Sequence, residues 1–265
     1  MVRCSVADAK GRQAMSALLR CADIGKNYGG VTALKRIDLT VGVGEIVGLV
    51  GANGAGKSTL IDIISGNTEP SRGAVMLRDR EVKGRPARRA RAGISRTFQH
   101  PQISEVLTLR ENVACGLAST RMRSPLHVLR ELALSALIDT TPWAEVDRLC
   151  ESIGLTDLDR VAGTVSFGDL RLAEVGRALV QQPDVVMLDE PFPGVDDEGV
   201  MGVLAALRTL RGQGKGVLLV DHNVDIVASI ADRLVLIADG EVAIEGPVDE
   251  CLASSVFRER YIGVA

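Results

Sequence analysis

Nine consecutive residues concentrate the chemistry of this chain: Gly51-Ala52-Asn53-Gly54-Ala55-Gly56-Lys57-Ser58-Thr59. They satisfy the pattern G-x-x-x-x-G-K-[ST] at every fixed position. The glycines let the backbone curl tightly, so that successive N–H groups turn inward on phosphate oxygens. A helix opening at the end of the loop adds the positive end of its dipole. Lys57 then reaches the β- and γ-phosphates, and the Ser58 hydroxyl takes one position on Mg²⁺. The flanks fit, because Glu45-Ile46-Val47-Gly48-Leu49-Val50 reads as a strand leading in and Thr59 to Ile64 as a helix leading out. A glycine-rich turn with a chance Lys-Ser would lack both flanks. The implied ligand is a nucleoside triphosphate.

A phosphate loop alone does not separate kinases, GTPases and motor ATPases. The apolar run Val185-Val186-Met187-Leu188, ending in Asp189-Glu190-Pro191, narrows the choice. An acid at a strand's end holds Mg²⁺ through water opposite Ser58, and a second carboxylate orients and polarises the attacking water. Asp189 therefore serves the metal and Glu190 the water. Two surface acids at a strand end are the plainer alternative, disfavoured by the four uniformly apolar residues before them. The next apolar run, Val217 to Val220, ends in Asp221-His222; a lone histidine is more often structural, but its position beside the other motifs lets His222 hydrogen-bond the γ-phosphate.

These residues need an α/β framework to hold them. The runs at 185–188 and 217–220 are continuous, as in strands buried on both faces. Between Leu18 and Val50, alternating residues such as Ile37, Leu39 and Val41 read as half-buried strands punctuated by Gly29-Gly30 and Gly42-x-Gly44. The helix after the phosphate loop is predicted to stop near Gly66-Asn67, and Gly73 to Leu77 to form another strand. From about Pro101 to Asp159 the pattern turns helical, with Ser124-Pro125 and Thr141-Pro142 as a cap followed by proline at the first helical position. Val146, Leu149, Cys150 and Ile153 recur at helical spacing before a stop at Gly154. Near the end, Asp239-Gly240 reads as a hairpin turn between two strands.

The totals exclude several classes. A chain of 265 residues with 46% hydrophobic content has ample core for one large or two modest domains. The net charge of −3 and few aromatics argue against nucleic acid as a partner. The arginines between Lys83 and Arg96 therefore read as a solvated helix face. Five scattered cysteines, with no C-x-x-C pair, fit reduced thiols rather than a disulfide framework or zinc site. No apolar run reaches the roughly 20 residues needed to cross a bilayer. Met1 to Ser16 reads as a loose tail without a signal core. Met122 and Met201 carry no function in this reading.

At this point the chain resembles the ATP-binding cassette family over nearly all its length. Tyr28, in Asn27-Tyr28-Gly29-Gly30, looks like the aromatic that stacks on adenine. Gln99, in Arg96-Thr97-Phe98-Gln99, looks like the glutamine that joins the Mg²⁺ shell. Ser166-Phe167-Gly168-Asp169 stands where the family carries its signature, Pro193-Gly194-Val195-Asp196 resembles the loop coupling two active sites, and His222 resembles the switch histidine. The resemblance implies an α/β fold: a P-loop NTPase (RecA-like) core with an N-terminal antiparallel β subdomain and an inserted helical subdomain at about residues 101–164. Residues 1–17 would be a tail and 18–265 a single ATPase domain. It also implies that two cassettes, as homodimer or heterodimer, face each other head to tail around ATP and Mg²⁺. Ser166 and Gly168 would then complete the other subunit's site. Integral-membrane permease subunits, and a substrate-binding protein, would be separate partners, with this chain peripheral on the cytoplasmic face of the cell membrane.

Two positions depart from the pattern. Phe167 replaces the middle glycine of the signature, and Asp169 replaces its glutamine, putting a carboxylate near another subunit's γ-phosphate but also in the first turn of a helix. The single cassette disfavours tandem cytosolic relatives, and the lack of long heptads disfavours chromosome and repair ATPases. Gly93 to Gln99, and the long stretch from Gln99 to Ser166, are similar to branched-chain amino acid importers. The segments Asp189 to Asp196 and Asp221 to Val224 are similar to the lipopolysaccharide export cassette. The long insert favours import of amino acids or related amides.

Overall fold

The computed structural model describes residues 17–97, 102–117 and 142–262. Ten strands form one sheet in the order β5-β4-β1-β2-β10-β9-β3-β8-β7-β6. Strands β1 (Ala17–Tyr28), β2 (Val31–Gly42), β4 (Arg72–Leu77) and β5 (Arg80–Glu81) pair antiparallel. Strands β9 (Arg233–Ala238), β3 (Ile46–Val50), β8 (Gly216–Val220), β7 (Val185–Asp189) and β6 (Ile94–Arg96) run parallel. Strand β10 (Glu241–Pro247) joins the two halves, antiparallel to β9 and meeting β2 at the pair Glu241–Arg36. This is the P-loop NTPase core with its antiparallel β portion.

The parallel strands are continuously apolar because both of their faces are covered. In β3, Ile46 and Val50 join one hydrophobic cluster while Val47 and Leu49 join the other. The same alternation divides Val186 and Leu188 from Val185 and Met187 in β7, and Val217 and Leu219 from Leu218 and Val220 in β8. On one side lies α1 (Lys57–Ser65), whose Leu60, Ile61, Ile63 and Ile64 are buried with the antiparallel strands. On the other side lie α5 (Phe167–Leu179) and α6 (Asp197–Gly212), with α3 (Leu109–Ala114) and α4 (Trp143–Ser152) packed against α5. A short helix, α2 (Pro86–Ala92), precedes β6.

Most boundaries lie where the sequence puts them. Helix α1 stops at Gly66 in the left-handed conformation, and the Asp239-Gly240 turn has φ of 51° and 75°, the hairpin type that needs two positive φ values. Cys150 and Val146 face the core, and Gly154 follows the end of α4 at φ 78°. Pro142 corrects one expectation, since it is the N-cap of α4 and not its first helical residue. Its carbonyl accepts the Glu145 and Val146 N–H groups, so the helix opens one residue later. Thr141, Ser124-Pro125, Met122 and Met1 to Ser16 lie outside the described residues, while Ala17 already belongs to β1.

The arginine run corrects another. Arg85, Arg88 and Arg91 are exposed, as a solvated face requires, but Arg89 is buried. Its guanidinium donates to the Ile64 and Gly84 carbonyls at 3.4 Å each, at the C-terminal end of α1, where a cation offsets the helix dipole. Arg96 also departs from that reading and belongs to the site below. Among the described residues, no helix is long and apolar enough to cross a membrane.

Candidate functional site

Strand β3 delivers the phosphate loop to the middle of the parallel sheet. Two of its glycines are required by space. A Cβ on Gly51 would stand 2.4 Å from the Ile237 carbonyl oxygen, and one on Gly56 would stand 2.5 Å from the Leu34 side chain. Gly56 is also left-handed, at φ 111°, and it begins α1 without any side-chain cap or acid in the first turn. The first helical bond runs from the Leu60 N–H to the Gly56 carbonyl, leaving earlier N–H groups to face a ligand. Ser58 is exposed at this helix start. The Lys57 ammonium folds over the loop and donates to the Gly51 and Ala52 carbonyls at 2.6 and 3.0 Å. Burial pulls its pKa below the usual lysine value, while the charges of Glu190, Asp189 and Asp221 oppose that pull.

Those carboxylates converge because the strands end level. Leu49 pairs with Val220, and Val220 pairs with Asp189. The loop after β3, Asp189-Glu190 and Asp221-His222 therefore share the carboxyl edge of three adjacent parallel strands, where open α/β sheets bind ligands. Glu190 is held at φ 48°, with its N–H donating to the Val220 carbonyl at 2.7 Å. A non-glycine residue there costs about 1 kcal/mol or more, a strain that clusters at functional sites. Asp221 is fully buried, and its Oδ1 accepts the Asn223 N–H at 2.8 Å. Burial raises its pKa above the usual carboxylate range. The His222 ring is exposed beside it, Nδ1 lying 3.5 Å from Asp221 Oδ1, and the Tyr261 hydroxyl donates to the His222 carbonyl.

Arg96 is the residue that the sequence reading missed. From β6 its Nη2 donates to Asp189 Oδ2 at 2.8 Å and its Nη1 to Asp62 Oδ1 at 2.5 Å. The available signal was an arginine closing a short strand beside two buried residues, Ser95 and Thr97. A largely buried charge needs a partner, and the neighbouring strand ends in one.

The signature residues stand apart, at the start of α5. Ser166 is its N-cap, accepting the Asp169 N–H at 3.1 Å and donating to Asp169 Oδ2 at 2.9 Å. Gly168 packs so tightly on α6 that a Cβ would stand 2.7 Å from the Gly199 Cα. Phe167 is partly exposed, with the Arg171 guanidinium 5.3 Å from its ring centroid, and Arg171 pairs with Glu174 at 3.0 Å in the core. Asp196, in the segment after Glu190, caps α6 by accepting the Gly199 N–H. Tyr28 is half-exposed at the end of β1, with the Lys26 ammonium 4.9 Å from its ring. Gln99 lies outside the described residues. A groove of about 320 Å³ opens between α2, β6 and α5, with Ser65, Ala90, Arg96, Cys115 and Glu174 among its walls.

The arrangement suits a phosphate ester with a hard divalent cation, since hydroxyl and carboxylate oxygens face a cationic, N–H-rich loop. Residues 34–193 match the family described as ABC transporter. The chain is 32% identical over 256 residues to the lipopolysaccharide export system ATP-binding protein LptB of Acidithiobacillus ferridurans, covering 94% of this chain and 98% of that one. It is 31% identical over 249 residues to the high-affinity branched-chain amino acid transport ATP-binding protein LivG of Salmonella typhimurium, covering 90% and 94%. A solved structure of a nucleotide-free ATP-binding cassette from an ABC transporter matches with a TM-score of 0.80 at 30% identity, covering 94% of this chain and 100% of that one.

Proposed function

The chain belongs to the ABC transporter family as an ATP-binding, ATP-hydrolysing subunit, and from that premise we propose that it powers import of branched-chain amino acids or related amides through separate permease subunits. The observation that carries the catalytic part is the convergence of Asp189, Glu190 and Asp221 on Lys57 at one sheet edge.

In this reading Gly51 to Thr59 wrap the triphosphate, and Lys57 exchanges its loop carbonyls for the β- and γ-phosphates. The all-oxygen set of Ser58 and Asp189, with Gln99 by resemblance, fits Mg²⁺. When bound, Mg²⁺ supplies charge neutralisation on the phosphate oxygens. Glu190, fixed by its strained backbone, polarises the attacking water, and His222 donates to the γ-phosphate. Tyr28 stacks on adenine. Ser166 and Gly168 complete the ATP site of a second cassette, so ATP joins two cassettes head to tail. The permease docks in the groove between α2 and α5, with the chain held peripherally on the cytoplasmic face of the cell membrane, and a substrate-binding protein delivers the cargo.

Import is supported by the segment Gly93 to Gln99, the length of the insert before Ser166, and the branched-chain relative. Export of lipopolysaccharide is the second reading, favoured by Asp189 to Asp196, Asp221 to Val224 and the export relative. Uptake of labelled leucine, valine and short amides by cells lacking this chain separates them. Import predicts lost uptake, restored by the wild-type chain but not by Lys57→Ala. Normal uptake with a defective outer surface would favour export instead.

A further inference from the structure

We infer that Arg96 is a positioning residue that holds the metal-side carboxylate Asp189 in register with the helix carrying Ser58. The inference rests on the assignment of Asp189 and Ser58 to the Mg²⁺ side of the site.

Three elements meet at this guanidinium. Its Nη2 holds Asp189 Oδ2, from the end of β7, at 2.8 Å. Its Nη1 holds Asp62 Oδ1, from α1, at 2.5 Å and reaches Ser65 Oγ at 3.3 Å. The Arg96 and Asp189 side chains are only 13% and 12% exposed, so water screens this contact little. Asp62 lies four residues after Ser58, which puts both on one face of α1. The planar fork therefore ties the strand whose carboxylate would hold Mg²⁺ through water to the helix whose Ser58 hydroxyl would bind it directly. Its recorded contact to Asp189 is through Oδ2 alone. A lysine could keep the charge but not the two-armed geometry.

Charge and positioning predict opposite signs. As a competing cation, Arg96 would weaken the metal, and losing it would tighten Mg²⁺. As a positioning residue, losing its fork loosens Asp189 and weakens Mg²⁺. Arg96→Lys preserves the charge and isolates the geometry.

The test measures ATP affinity with saturating Mg²⁺ and with EDTA, together with melting temperature, for wild type, Arg96→Lys and Asp62→Asn. The ratio of the two affinities is expected to fall about tenfold in Arg96→Lys, as for other groups that orient metal ligands, with metal-free binding retained. Asp62→Asn removes only the outer anchor and should lower the ratio less, in the same direction; it carries the test if Arg96→Lys does not fold. A merely structural tie would lower the melting temperature and leave the ratio alone. An unchanged ratio in the folded variants, or a higher one in Arg96→Lys, overturns the inference. A wild-type chain whose ATP binding ignores Mg²⁺ would instead refute the assignment of Asp189 on which the inference rests.

Discussion

Asp169→Gln tests the least conventional residue of the site. The Asp169 carboxylate takes the Ser166 hydroxyl at 2.9 Å, while the Ser166 oxygen caps α5 through the Asp169 N–H at 3.1 Å. The cap belongs to Ser166, so it survives the substitution. What is lost is one acid in the first helical turn, worth about 0.3–1 kcal/mol. For a domain of this size that lowers the melting temperature by roughly 1–4 °C. What is gained appears only when two cassettes close. In the proposed head-to-tail dimer, a carboxylate brought to about 8 Å from the opposite γ-phosphate would cost about 1 kcal/mol for each unit of phosphate charge, at an effective dielectric of about 40, between those of protein surface and water. Two such contacts per dimer give roughly 2 kcal/mol, or about a thirtyfold stronger association. The variant also frees the Ser166 hydroxyl to donate to that phosphate. Sedimentation with ATP, in a Glu190→Gln background that halts turnover, reads the association directly. Monomer affinity for ATP should stay unchanged, because in the proposed head-to-tail arrangement Asp169 would face the opposite subunit's nucleotide. Unaltered dimerisation with a slightly lower melting temperature would reduce Asp169 to a helix-end residue. Weaker dimerisation with unaltered melting would refute both roles.

Three other substitutions or modifications probe the same framework. Lys57→Ala should lose at least about tenfold in ATP affinity and stay folded, because it removes a charge-assisted contact and two local ties to the Gly51 and Ala52 carbonyls while leaving the hydrophobic clusters intact; tight binding by the folded variant would contradict the loop assignment. Gly51→Ala should cost both binding and stability, since its Cβ would stand 2.4 Å from a backbone oxygen that cannot turn aside; wild-type melting and ATP affinity would refute the steric argument. Burial pushes the thiols of Cys21 and Cys150 up to about 12 and that of Cys251 up to about 11, whereas Cys115 is exposed beside the groove. A maleimide at neutral pH, on a Cys4→Ser chain, should therefore modify Cys115 first among the described cysteines and block permease binding while sparing ATP binding. Equal labelling of the buried thiols, or unimpaired docking, would contradict this.

The strands and phosphate loop were legible because their signals are local. Four or five apolar residues ending in Asp189-Glu190 or Asp221-His222 state both a buried strand and its functional end. Asp239-Gly240 states its own turn. The misses depend on what lies across space. Arg89 and Arg96 look like neighbours in one basic run, yet one lies against the end of α1 and the other joins Asp62 to Asp189. Charge counting along the chain does not distinguish an arginine facing water from one facing a carboxylate. The positive φ of Glu190 and the Tyr261 contact to His222 likewise arise from tertiary packing. At Pro142 the composition was right and the position was off by one, as is common at helix ends.

In the proposed mechanism, ATP bound at Lys57 is hydrolysed with Glu190 acting on water, between two cassettes. Glu190→Gln keeps the side chain's shape and leaves Asp189 for the metal, but its amide takes no proton. With Mg²⁺ and ATP, size measurement coupled to nucleotide analysis should find a stable dimer of this variant holding unhydrolysed ATP, and turnover nearly abolished. A monomer under the same conditions, with ATP turned over at close to the wild-type rate, would refute that role of Glu190.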